Sequence, residues 1–146
     1  VNGRFSVEQR ALYEVVLDAQ KAAIAAVKPG NHWNQPHDET VRVITEGLVA
    51  LGLLSGDVAT LIADEAYRPF YMHRAGHWLG MVLTVEPGIY VAPDNTDVDA
   101  KWRGIGIRIE DDVAVTKTAH EVLTGAVPKE ADEIEALMAE ARLAAH

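Results

Sequence analysis

Gly104-Ile105-Gly106-Ile107-Arg108-Ile109-Glu110 is the stretch on which the fold turns, because its side chains alternate strictly. A β-strand sends successive side chains to opposite faces, so Ile105, Ile107 and Ile109 share one face and form core. Gly104, Gly106, Arg108 and Glu110 share the other, and two glycines there leave room for something to approach the backbone. Taken plainly, Arg108 and Glu110 make an exposed ion pair on a half-wetted sheet. Asp111-Asp112 reads as a turn into the next strand, Val113-Ala114-Val115.

Upstream the strand signals continue. Met81-Val82-Leu83-Thr84-Val85 is an apolar strand, Pro87-Gly88 a turn, and Ile89-Tyr90-Val91 a second strand before the acidic loop from Asp94 to Lys101. Before Phe70 the pattern is helical. Ser6 and Gln9 form a capping box, and Val7, Ala11, Leu12, Val15, Ala19, Ala22, Ala23 and Ala26 recur at helical spacing until Pro29-Gly30. A second helix is predicted from about His37 to Leu51, with Val41, Ile44, Leu48 and Leu51 on one face and Gly52 ending it. A third runs from Asp57 to Tyr67, and a last one follows Pro128 with Ile134, Leu137, Met138 and Ala141 inward. Helices first, sheet second and a closing helix predict an α+β fold, a curved antiparallel sheet with helices on one side.

Composition narrows the function. The 146 residues make one domain or part of one, and a chain this long buries a sizeable core. It has no cysteine, which excludes disulfides, thiolate zinc sites and a cysteine nucleophile. A net charge of −9, spread along the chain, argues against nucleic acid or an anionic membrane as the main partner. No apolar run spans a bilayer and no signal peptide opens the chain, which predicts a cytoplasmic protein. Val1-Asn2-Gly3, without an initiating Met, reads as a strand-to-helix turn inside a longer polypeptide.

Three groups carry chemistry. His73 and His77 lie four apart in His73-Arg74-Ala75-Gly76-His77-Trp78-Leu79-Gly80, but the glycines and the missing Glu argue against a helical zinc motif. On an extended segment the two imidazoles share a face. Glu86 ends an apolar strand and calls for a metal, an Arg or a His as partner. His32, His37, His120 and His146 read as ordinary structural or surface residues. Two His, two Glu and Arg108 on adjacent strands of one sheet compose a divalent metal site, whose imidazole and carboxylate donors suit Mn, Fe, Co or Zn.

The segments 73–80, 85–90 and 104–112, in that order, closely resemble the Xaa-Pro aminopeptidases (aminopeptidase P), which share the pita-bread fold with prolidase, methionine aminopeptidase and creatinase. The likeness covers nearly the whole chain and corresponds to part of a C-terminal catalytic domain without the N-terminal domain. It implies a metal centre of two manganese ions with His77, Glu86 and Glu110 as ligands. Glu86 also takes the proton of the attacking water, while His73 and Arg108 act on the substrate side and within the site, with Tyr90 nearby. The implied substrates are peptides with proline second, and the full-length enzyme would be a homo-oligomer. Prolidase, or a metal-free binding module on the same fold, stays open as the alternative.

Two departures weigh on that expectation. The resemblance implies two further metal-binding aspartates upstream of Val1, and Asp94, Asp97 and Asp99 do not match them. It also implies a segment with another His where Gly80 here joins Met81. The 146-residue chain alone is therefore expected to be metal-poor and nearly inactive, and Gly80 and Met81 to lie far apart in space.

Overall fold

A computed structural model describes residues 3–144, so Val1, Asn2 and His146 and the readings placed on them lie outside the described residues. Helices α1 (Val7–Ala26), α2 (Gln35–Ala50) and α3 (Val58–Ala63) come first. Six strands follow, β1 (Trp78–Leu79), β2 (Val82–Val85), β3 (Gly88–Tyr90), β4 (Gly106–Arg108), β5 (Asp111–Val115) and β6 (His120–Val122), and then α4 (Ala131–Ala144). The α+β order stands. No helix among the described residues is long and apolar enough to cross a membrane.

The capping box forms as read. Ser6 Oγ accepts the Gln9 N–H at 3.1 Å and Gln9 Oε1 accepts the Ser6 N–H at 2.9 Å. The buried stripe of α1 differs from the predicted one. It runs through Leu12, Tyr13, Val16, Leu17, Ala19, Gln20 and Ala23, while Val7 is 83% exposed. The helix is apolar on several sides, and burying its largest side chains decides the face. Helix α2 buries Val41, Ile44 and Leu48 as expected, starts two residues earlier and ends before Gly52. Helix α3 is shorter than predicted, and turns fill the chain from Asp64 to Phe70.

The strands form two sheets, β1-β2-β5-β6 and β3-β4, where one was expected. Both obey one antiparallel register: Val85 pairs with Asp111 and Gly88 with Arg108, so Glu86 falls opposite Glu110 and Pro87 opposite Ile109. Pro87 has no N–H to give, so the ladder breaks there. The Ile109 N–H still reaches the Pro87 carbonyl at 3.3 Å. Asp111-Asp112 is not a turn but the start of β5, because Asp111 is buried (2% exposed) beneath this break. Its carboxylate accepts from Gln20 Nε2 and Thr124 Oγ1 and pairs with Lys129 Nζ at 3.1 Å.

Helix α1 underlies both sheets. Leu12, Val16 and Leu17 join Ile89, Val91 and Ile109 in one core cluster, and Ala23 and Val27 join Leu83, Val85 and Val113 in another. Helix α4 docks through buried Ala131 and half-buried Ile134, which pack on the main core, and through polar ties, Arg10–Asp132 at 2.7 Å and Phe5 N–H to Glu135 at 2.9 Å. The predicted burial of Leu137 and Ala141 fails, since both are exposed.

Gly80 and Met81 are not separated in space. They form a two-residue hairpin turn that sets Leu79 opposite Val82. Gly80, at φ +75°, takes the first turn position, where such hairpins require a positive φ.

At Gly47 α2 lies close against α1, because a Cβ there would overlap the Val15 side chain. Helix propensity alone favours Gly47→Ala by roughly 1 kcal/mol. Val15 is stiff at χ1 and cannot swing clear, so overpacking wins and the substitution lowers stability by about 1–3 kcal/mol. Urea unfolding of Gly47→Ala, with and without Val15→Ala, measures both the loss and its recovery.

Candidate metal centre

The break in the ladder builds the site. Ile109 and Asp111 face the core, so Glu110 between them is driven to the other face, where it is exposed. On β2, Val85 is buried against Val113 and Glu86 turns to the same outer face as Glu110. Two carboxylates thus stand opposite each other just past the last regular pair of β2 and β5. Like charges in that position repel unless a cation lies between or beside them.

The third member comes from the segment before β1. The Thr84 N–H bonds the His77 carbonyl at 3.1 Å and the Glu86 N–H bonds the Ala75 carbonyl at 2.6 Å, which extends the β1–β2 pairing to residue 75. His77 Nε2 then lies 3.7 Å from Glu86 Oε1. Ligand atoms of His77, Glu86 and Glu110 all lie within 4.8 Å of one another. Donors around one ion of the zinc class stand roughly 3–4 Å apart, so small rotamer changes bring all three onto a common ion. One neutral imidazole and two carboxylates suit a borderline divalent cation.

Arg108 faces Glu86, with Nη1 at 3.6 Å from Oε2, rather than forming the predicted pair with Glu110. Glu86 is 15% exposed, so its need for a partner is met by His77, Arg108 and Thr84 together. His73 stands apart from the three ligands. Its Nδ1 lies 2.8 Å from the Arg74 carbonyl, which only accepts, so Nδ1 carries the proton. In the neutral ring Nε2 then accepts the Tyr90 O–H at 3.1 Å. The site residues thus lie at strand ends and in the segment before β1, not in the middle of one sheet.

Thr84 and Tyr71 escaped the sequence reading, and His37 is structural as expected but borders the site. Thr84 Oγ1 bonds Glu86 Oε1 at 3.2 Å. Its place two residues before Glu86 on a strand was the available signal. The Tyr71 ring packs edge-on to His73, and burial, then Glu86, push its hydroxyl pKa up. His37 Nδ1 accepts the Ala75 N–H at 3.2 Å, a contact that no spacing rule reveals. His120 is structural as expected, its Nδ1 against the Val27 carbonyl at 2.7 Å. Asp94, Asp97 and Asp99 stay in their loop.

Burial, then the charge of Arg74, hold His37 below the ordinary imidazole pKa of 6.5. The folded chain therefore binds fewer protons at His37 than the unfolded chain, and this share of stability is lost as pH falls below 6.5. The expected outcome is a shallower acid-side fall in urea midpoint for His37→Gln than for the wild type.

The profile of metallopeptidase family M24 matches residues 1–117. A Xaa-Pro aminopeptidase of Haemophilus influenzae is 50% identical over 94% of this chain and 36% of its own length. One from Escherichia coli is 46% identical over 97% of this chain and 36% of its own. The structure of Pseudomonas aeruginosa aminopeptidase PepP superposes with a TM-score of 0.95 at 60% identity, over 97% of this chain and 37% of that one. Aminopeptidase P from Escherichia coli with the inhibitor Pro-Leu gives 0.92 at 45% identity. The likeness bears out the pita-bread fold. The chain spans about a third of the length of the curated relatives it matches. The Haemophilus alignment runs over 158 positions yet uses 94% of these 146 residues, so that relative holds positions with no counterpart here. With a family profile matched over most of its residues and half of them identical to a named peptidase, the chain belongs to metallopeptidase family M24.

Proposed function

We propose that this chain is part of the catalytic unit of an aminopeptidase that removes the N-terminal residue from peptides with proline second. The convergence of His77, Glu86 and Glu110 within 4.8 Å, on a chain of family M24, carries the reading. The similarity to proteins named Xaa-Pro aminopeptidase supports the substrate class.

His77, Glu86 and Glu110 would hold the divalent cation, with manganese the proposed metal. When bound, such an ion lowers the pKa of a water and polarises the scissile carbonyl. Glu86 is the group to take the proton of the attacking water, its carboxylate oriented by the Thr84 hydroxyl. Arg108 holds the other oxygen of Glu86 in place. His73, its Nδ1–H held by the Arg74 carbonyl, would donate from Nε2 to the substrate carbonyl as that gains negative charge, which requires a proton on Nε2 and the Tyr90 hydroxyl turned to accept. No serine or cysteine nucleophile is required.

Charge sets a limit on the chain alone. Its three ligands carry two negative charges, which balances one divalent cation and leaves a second, a few ångströms away, uncompensated. Calorimetric titration of the 146-residue chain with Mn²⁺ is expected to show one weak site, weakened at least ~10-fold by Glu110→Gln or His77→Ala. Two tight sites, or turnover of an Arg-Pro-Pro peptide by this chain alone, contradict that limit. In the presence of Zn²⁺, a diamagnetic ion that leaves nearby resonances sharp, Pro-Leu is expected to shift the NMR resonances of His73 and Tyr90 and Leu-Leu to leave them unmoved. An equal response to both peptides overturns the proline assignment.

A further inference from the structure

We infer that Thr84 is a positioning residue for the metal centre, its one buried hydroxyl setting where two of the three ligands, His77 and Glu86, stand relative to each other. The inference rests on the reading above that these side chains hold a divalent cation.

Thr84 is 3% exposed and sits on β2 with its side chain on the face that carries Glu86. A hydroxyl offers one proton and accepts through its lone pairs. Here Oγ1 accepts the His77 N–H at 2.9 Å and gives its proton to Glu86 Oε1 at 3.2 Å. That same Oε1 is the oxygen 3.7 Å from His77 Nε2. One atom therefore ties the backbone of the imidazole ligand to the Glu86 oxygen that faces the imidazole.

The local pairing is bent to make this possible. In a regular antiparallel pair the His77 N–H would go to the Thr84 carbonyl, but here the hydroxyl takes it. The Thr84 carbonyl instead presses on Gly76, where a Cβ would overlap it. A glycine is thus required beside Thr84. Threonine is stiff at χ1, so the hydroxyl is held rather than sampled. It is also neutral, and so orients Glu86 without cancelling the negative charge that a cation needs. Partners of this kind, placed behind the ligands, commonly govern metal affinity.

The test uses the 146-residue chain, Mn²⁺ alone as probe, and two variants. Thr84→Val keeps the shape and removes the hydroxyl, and Thr84→Ser restores the hydroxyl. Calorimetry is expected to show Mn²⁺ binding weakened about 10–100-fold in Thr84→Val and within about threefold of wild type in Thr84→Ser. In the metal-free chain the His77 amide is expected to exchange faster with solvent in Thr84→Val only, with the Leu83 and Val113 amides unchanged. A folded Thr84→Val that binds Mn²⁺ as wild type does overturns this inference and leaves the metal reading standing. A folded Thr84→Ser that loses binding as Thr84→Val does also overturns it. A wild-type chain that takes up no Mn²⁺ overturns both.

Discussion

A carboxylate buried beneath a broken ladder is the constraint on which the rest of this structure depends. Burying an ionised Asp costs several kcal/mol unless it is paired and hydrogen-bonded. Asp111 meets that demand with Gln20 of α1, Thr124, and Lys129 ahead of α4. The pairing pulls three separate parts of the chain onto the start of β5. It also sets the parity of the strand, since with Asp111 inward its neighbour Glu110 faces outward. A slip of one residue would bury Glu110 and expose Asp111, and the centre would be lost.

Pro87 acts on the same junction from the other strand. Its missing N–H divides one continuous register into two sheets and frees the strand ends on which Glu86 and Glu110 face each other. Regular pairing on both sides keeps the two carboxylates opposite, and α1 beneath both core clusters keeps the sheets together. The repulsion so installed is partly relieved by Arg108 at 3.6 Å from Glu86. Such an arrangement stores an affinity for positive charge, which a solvated ion pair does not do.

Much of this was legible in the residues. The capping box of α1, the inner face of α2 and the Ile105-Ile107-Ile109 core face follow from local spacing, which the fold respects. The set His77, Glu86 and Glu110 comes instead from the family resemblance, and the fold brings those three side chains within 4.8 Å. Other features were not legible, for identifiable reasons. Asp111-Asp112 has the composition of a turn, and only the distant Gln20 and Lys129 make a strand start of it. The stripe of α1 was ambiguous because alanines surround the helix, and long-range packing chose among its faces. The partner of Arg108 was read as Glu110, two residues along, whereas its real partner is across the break.

The sequence by itself determined the order of helices and strands, the alternation that sends Glu110 to the open face, and the absence of thiol chemistry. These depend on neighbours a few residues apart, where helical and strand periods act directly. Only the tertiary structure decided that Asp111 is buried, that Thr84 ties His77 to Glu86, and that two sheets share one register across Pro87. Each of those depends on groups brought together from distant parts of the chain or across strands, and no local period encodes which of them will meet.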